Sequence, residues 1–322
     1  MTTLTRLYGL TVRSEVPLHQ DRPAAPSAPV DLDIVLGARR GATDAPPPGR
    51  TLLDLRMDRQ LYTGSMTDDA YHLRFYNACD IEINREMDHA VIHPVGDTDE
   101  ALLSVIAGGT LLAFVLALRG ETVLHASAVQ VGDVALGFVG ASGMGKSTTA
   151  TLMCADGGRL ITDDLLRLDL SQSPPTCSLG ATELRLRKAA GDLAGRFERQ
   201  PTQRITGDER DALAVSVADT EGLPLVGLVV PAPDHSGQST RASVHRLGAK
   251  ESFIMLSRFP RLLGWQDTRM LGQQFQQLGD VVERVPLYVA RLPWGPPFAH
   301  DLAADVRRAV GIDELVPAAV AG

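Results

Sequence analysis

Residues 124–164 read LHASAVQVGDVALGFVGASGMGKSTTATLMCADGGRLITDD. Within this stretch Gly140-Ala141-Ser142-Gly143-Met144-Gly145-Lys146-Ser147 fits the pattern G-x-x-x-x-G-K-[ST]. Backbone N–H groups of such a loop wrap phosphate oxygens, and its lysine reaches the outer phosphates. The pattern lies between an apolar run at 134–139 and a helical run at 146–155 that Gly157-Gly158 would end, the setting a phosphate loop requires. Gly140 to Ser147 and Thr148 are therefore the expected nucleotide-binding residues. Lys146 would be the cation on the transferring phosphate and Ser147 a Mg²⁺ ligand. A chance glycine-rich turn would not explain why Lys146-Ser147 opens a helix.

Upstream, residues 123–131 and 134–139 are apolar runs separated by Gly132-Asp133, which reads as a hairpin with a two-residue turn. Such a turn fixes register: Val131 faces Val134, Val129 faces Leu136, and His125 falls opposite Gly140. The strand feeding the loop should thus have an antiparallel neighbour immediately before it. In the usual nucleoside-triphosphatase arrangement that strand sits among parallel neighbours joined by helical crossovers. A lone histidine is more often structural than catalytic, but this register makes His125 a candidate active-site residue. Downstream, residues 159–162 read as the next strand, with Asp163-Asp164 at its end. Two adjacent carboxylates divide naturally into one that accepts a hydroxyl proton and one that holds a metal. The plainer alternative is a helix N-cap pair before Leu165-Leu166.

The chain of 322 residues has room for one large or two modest domains. Its net charge of −8 argues against a general binder of nucleic acid or anionic membrane, so any phosphate affinity must be local. Cys79, Cys154 and Cys177 share no metal-ligand spacing and leave an odd thiol, which suits a reducing cytoplasm. The opening MTTLTRLYGLTVRSEVPL lacks a basic start followed by an apolar run, so no signal peptide is expected.

Residues 101–118 carry no charge and reach the length of a membrane span, yet a buried helix is the expectation. Ser104, Gly108, Gly109 and Thr110 dilute the run, and Asp97-Thr98-Asp99-Glu100 reads as an N-cap with a capping-box glutamate. Residues 1–96 look like a small strand-rich domain with Pro-rich loops and alternating strands near 71–75, 80–84 and 90–93. That domain could recognise a substrate or partner, or serve as scaffold or dimer contact. Residues 97–322 form the second expected domain, with strands at 225–230 and 287–292 and a last helix at 301–310 showing Leu302, Val306 and Val310 on one face. Another helix should start at an Asp267 N-cap and bury Leu271, Phe275, Leu278 and Val282. Arg185, Arg187, Lys188, Arg196, Arg199 and Arg204 offer a partner for a phosphate or an acidic substrate, or form a solvated helix face.

His125, the 140–147 loop and Thr162-Asp163-Asp164, in this order and spacing, resemble the catalytic domain of HPr kinase/phosphorylase. They are more similar still to the HPr-kinase-like proteins of bacterial peptide-modification gene clusters, in which LHASAV precedes the loop. The resemblance is strong over residues 120–165 and implies an α/β fold shared with phosphoenolpyruvate carboxykinases, in which an antiparallel hairpin feeds the phosphate loop. It further implies ATP- and Mg²⁺-dependent phosphorylation of a serine hydroxyl, in a homo-oligomer. The family's catalytic base would fall on Asp163, supported by His125, leaving Asp164 near the metal. Its second metal-binding carboxylate would fall on Glu183, in Glu183-Leu184-Arg185. The acceptor could be a peptide or protein serine, or a small molecule such as free serine or a sugar. A protein that binds ATP for regulation, without an acceptor, is the remaining alternative.

Overall fold

The computed structural model describes residues 3–58, 60–187 and 190–314. It is a mixed α/β chain with several sheets and divides into two compact units. The first comprises Met1–Glu121, Thr206–Glu209 and Arg261–Phe275, and the second the remainder. The first unit runs past residue 96 because the apolar helix belongs to it.

In the first unit the sheet orders the strands Thr3–Leu7, Leu10–Ser14, Leu32–Leu36, His89–Pro94, Cys79–Asn84, Ala70–Phe75, Gln60–Met66 and Arg50–Arg56. The last five form an antiparallel meander, in which burial alternates cleanly along His89–Pro94, whereas Gln60–Met66 buries Thr63, Gly64 and Ser65 in succession. Two parallel pairings join Leu32–Leu36 to its neighbours, contacts that no local pattern could announce. The uncharged run is a helix over Glu100–Leu118, buried over 61% of its most apolar window. Its Phe114 stacks on Trp265 at 5.9 Å. The helix starts later than the expected capping box: Thr98 bonds back to Val95 O at 2.7 Å, holding residues 95–98 in a turn. Asp99 is therefore the N-cap, its carboxylate accepting the Ala101 N–H at 3.1 Å, and Glu100 is already helical. A π-helical turn at Ala107–Leu111 takes up Gly108-Gly109.

In the second unit the main sheet runs Arg159–Thr162, Ala126–Val131, Val134–Val139, Leu223–Asp234, Thr176–Cys177, Leu166–Asp169 and Thr122–Leu124. Leu287–Pro293 lies parallel to Leu223–Asp234, and Ser243–Arg246 flanks it. The hairpin pairs Val131 with Val134, Val129 with Leu136 and Ala126 with Val139, the register counted from the turn. On its other side Val134–Val139 pairs in parallel with Leu223–Asp234, so the strand before the loop has one neighbour of each sense.

These strands read as unbroken apolar runs because helices cover both faces of the sheet. Val129, Leu136, Phe138, Leu160 and Val229 point to one side, packing with Ala150, Met153, Leu302 and Val306. The alternate residues Ala128, Ala135, Val139, Ile161 and Leu228 point to the other, packing with Leu256, Val281 and Val285. The last helix, Leu302–Ala309, thus buries its expected face. The helix Thr268–Arg284 does not. Asp267 caps it, accepting the Met270 N–H at 3.0 Å, but Leu271 and Phe275 are 45% and 65% exposed. Met270, Val281 and Val285 are buried instead. At 100° per residue the two stripes are neighbours sharing Leu278 and Val282, and only the packing partner decides between them.

Candidate active site

The loop connects Val134–Val139 to the helix Lys146–Ala155. Gly145, the residue before the lysine, takes φ +89°, and a Cβ there would come within 2.3 Å of Trp294 Cη2. Glycine is therefore required by backbone conformation and by close approach together. The crest at Ala141, Ser142 and Gly143 is exposed. Ala141 N–H points at the Met144 thioether, a weak acceptor, at 3.1 Å. Lys146 is buried, its ammonium donating to Ala141 O at 3.2 Å. Thr149 and Thr151 return their hydroxyls to the carbonyls of Gly145 and Ser147 one turn back, which satisfies both groups inside the helix. Gly157, at φ +93°, ends it, with Gly158 N–H bonded to Met153 O at 2.9 Å.

Arg159–Thr162 pairs with the first hairpin strand and delivers the two aspartates beside the loop. Thr162 donates its hydroxyl to Leu165 O at 2.7 Å, and Leu165 N–H returns to Asp163 O at 2.9 Å. The tight turn between them holds Asp164 at φ +68°, an uncommon conformation for a residue with a Cβ. Adjacent carboxylates are thereby turned apart. Asp163 is 3% exposed, and its Oδ1 accepts hydroxyls from Ser127 at 2.6 Å and Ser147 at 2.9 Å. Its Oδ2 accepts the backbone N–H of Arg185 at 2.8 Å. Asp164 bonds to His125 Nε2 at 3.0 Å through Oδ1 and to the Arg185 guanidinium at 2.8 Å through Oδ2.

A cleft of about 460 Å³ opens over these groups, and His125, Ser142, Gly143, Gly145, Lys146, Ser147, Thr148 and Asp164 line it. Gly140, Ala141 and Met144 belong to the loop but not to the cleft wall, and Asp163 lies behind Ser147. Glu183 is not brought in. Its carboxylate is held by Arg204, Nε to Oε1 at 2.9 Å, across the small sheet of Glu183–Leu186, Asp211–Ala214 and Thr202–Ile205. The basic residues separate likewise. Arg185 and Arg187 line the cleft, the latter donating to Ser142 Oγ at 2.9 Å, while Arg196 donates to the carbonyls of Phe298 and Ala299 and Arg199 is exposed. Lys188 lies outside the described residues. Arg185 and Arg204 sit on strands, not on the helix face offered as an alternative.

Sequence reading missed Ser127, Arg210, His235 and Trp294. Ser127 had a local signal, since a hydroxyl two residues from His125 in an apolar strand shares its side of the sheet. The other three reach the cleft from distant parts of the chain, and only Trp294, in Pro293-Trp294-Gly295-Pro296-Pro297, stood in an unusual context. Cys79, Cys154 and Cys177 are free and buried, and burial raises each thiol pKa, that of Cys79 to about 12. They are inert as nucleophiles.

No family model and no curated protein matches the chain. Among solved structures it is similar to the Hpr(Ser) kinase/phosphatase from Coxiella burnetii, with 11% identity and a TM-score of 0.31 over 60% of this chain and 97% of that one.

Proposed function

We propose that this chain is an ATP- and Mg²⁺-dependent kinase that transfers a phosphoryl group to a hydroxyl, the serine of a peptide or protein, in the cytoplasm. The observation that supports this best is the pairing of Asp163 with Ser147 behind the loop while Asp164 and His125 face the cleft. Asp164, held by His125 and Arg185 on the cleft wall, gives an acceptor hydroxyl a carboxylate to lose its proton to.

The residues present suit the ligands. Loop N–H groups, with Ala141 N–H on a weak acceptor, and Lys146 would hold the phosphates. Ser147, oriented by Asp163 behind it, would hold Mg²⁺, an ion bound by few protein oxygens together with phosphates and waters. Among the described residues no group of three His, Cys, Asp or Glu side chains is gathered for a metal, so a cage using Glu183 is not part of this reading. Magnesium-bound ATP supplies the transferable phosphoryl group and neutralises charge as it moves.

The roles of the two aspartates are the reverse of those implied by the family resemblance. Asp163, with three donors and no cleft exposure, keeps Ser147 oriented. Asp164 is the base that accepts the hydroxyl proton, and His125 and Arg185 fix its carboxylate plane.

The test is incubation of the purified protein with γ-labelled ATP and Mg²⁺ against pools of peptides, proteins and small alcohols. Label in a phosphoester of a peptide or protein, lost on chelation of Mg²⁺ or in Lys146→Ala, is the expected result. Label appearing only in inorganic phosphate would overturn the reading, and label in a metabolite would move the acceptor to the small-molecule class.

A further inference from the structure

The cleft wall sorts by chemistry. Lys146, Asp164, Arg185 and Arg187 supply charge, whereas Trp294, Pro296 and Phe298 supply an apolar surface that phosphoryl transfer does not need. Trp294 directly follows the strand residues that close Leu287–Pro293, and its backbone N–H donates to Asp234 O at 3.3 Å. The indole is braced edge-on by Phe298 at 5.3 Å and meets His235 at 6.4 Å. Its six-membered ring rests on Gly145, the residue immediately before the loop lysine. It nevertheless remains half-buried, with part of its surface in the cleft.

We infer that Trp294 is the platform for the base of the bound nucleotide, an inference that rests on the kinase reading above. A nucleoside triphosphate is amphipathic in the same sense as the cleft: its polyphosphate meets the loop amides and Lys146, and its aromatic base meets the indole. An aromatic side chain of the acceptor would suit the same surface. The contact of Trp294 with the loop itself, where the phosphates lie, favours the nucleotide's own base. A ring already fixed by Phe298, His235 and Gly145 loses little freedom when a base stacks on it. Because every base offers a π-face, recognition by stacking is tolerant, so the site discriminates only weakly between ATP and GTP.

The chain has two tryptophans, and the other, Trp265, stacks on Phe114 in the first unit. In Trp265→Phe all indole emission comes from Trp294. Mg²⁺-ATP is expected to quench it more than Mg²⁺-tripolyphosphate, and to bind roughly 5- to 150-fold more tightly by calorimetry, the worth of one stacked base. Trp294→Ala should erase that margin while tripolyphosphate binds as before, and Trp294→Phe should keep most of it. Equal affinity for ATP and tripolyphosphate, with no extra quenching by ATP, would overturn the base site and leave the phosphate loop standing. Failure of both to bind would overturn the loop and the base site together. If Trp294→Ala does not fold, Trp294→Phe and the emission titration decide the matter.

Discussion

Exchanging Asp164 and Asp163 for asparagine, one at a time, separates the two roles. In Asp164→Asn the amide can keep both neighbours, its oxygen on Arg185 and its nitrogen on a His125 Nε2 that accepts, so the 2.8 and 3.0 Å contacts survive. Basicity is lost, and the ion pair with Arg185 becomes a hydrogen bond to a neutral oxygen. General-base assistance is worth about 10²- to 10⁴-fold, or roughly 3–5 kcal/mol in the barrier at 1.36 kcal/mol per decade. Turnover should fall by that factor while nucleotide affinity changes less than about threefold, under 1 kcal/mol.

In Asp163→Asn all three charge-assisted bonds become neutral: the amide oxygen serves Arg185 N–H, and the Ser127 and Ser147 hydroxyls must turn round to accept from the amide nitrogen. Each exchange loses about 1 kcal/mol. Relief from burying a carboxylate offsets part of it, leaving about 2 kcal/mol, or roughly 4–8 °C in Tm for a unit of this size. With Ser147 no longer oriented, Mg²⁺-nucleotide affinity should fall as well. The assays are single-turnover phosphotransfer, calorimetric nucleotide titration and thermal melting. If Asp163→Asn left affinity and Tm untouched while abolishing transfer, and Asp164→Asn turned over normally, the assignment would be reversed.

Gly145→Ala should lose nucleotide binding and about 1 kcal/mol or more from the left-handed backbone alone, and pairing it with Trp294→Ala should recover the part due to the 2.3 Å contact, read as non-additive Tm shifts. On the helix Thr268–Arg284, Phe275→Ser should change stability by less than about 0.5 kcal/mol, whereas Val281→Ala, fully buried, should lose about 2 kcal/mol by denaturant melting. Asp234 accepts bonds from the Ser236 hydroxyl, the Ser239 hydroxyl and Ser236 N–H and faces Arg291, which hold its pKa well below the ordinary carboxylate range. A depressed folded pKa stabilises the fold fully above the unfolded value near 3.9 and is lost as pH falls below it. Acid unfolding below about pH 4 should therefore be less steep in Asp234→Asn, and an unchanged profile would remove Asp234 from the account.

The loop, the hairpin before it and the paired aspartates after it were legible from sequence because each is local. A two-residue turn fixes register, glycines mark backbone that needs positive φ, and an apolar run in a strand measures burial. The register counted from the turn holds as far as Ala126 opposite Val139, one residue short of His125 and Gly140. What the sequence could not decide was direction. Asp163 and Asp164 are chemically the same, and only the turn holding Asp164 at φ +68°, with Ser127, Ser147 and Arg185 converging on Asp163, makes one a buried strut and the other a cleft residue. Periodicity likewise offered two neighbouring stripes on Thr268–Arg284, and the packing surface chose Val281 over Phe275. Glu183 had the right chemistry and the wrong partner, since Arg204 claims it across a sheet. Trp294 reaches Gly145 from far along the chain because Leu287–Pro293 pairs in parallel with Leu223–Asp234, and Arg210 reaches the cleft from just before Asp211–Ala214 in the small sheet, meetings visible only once the chain is folded.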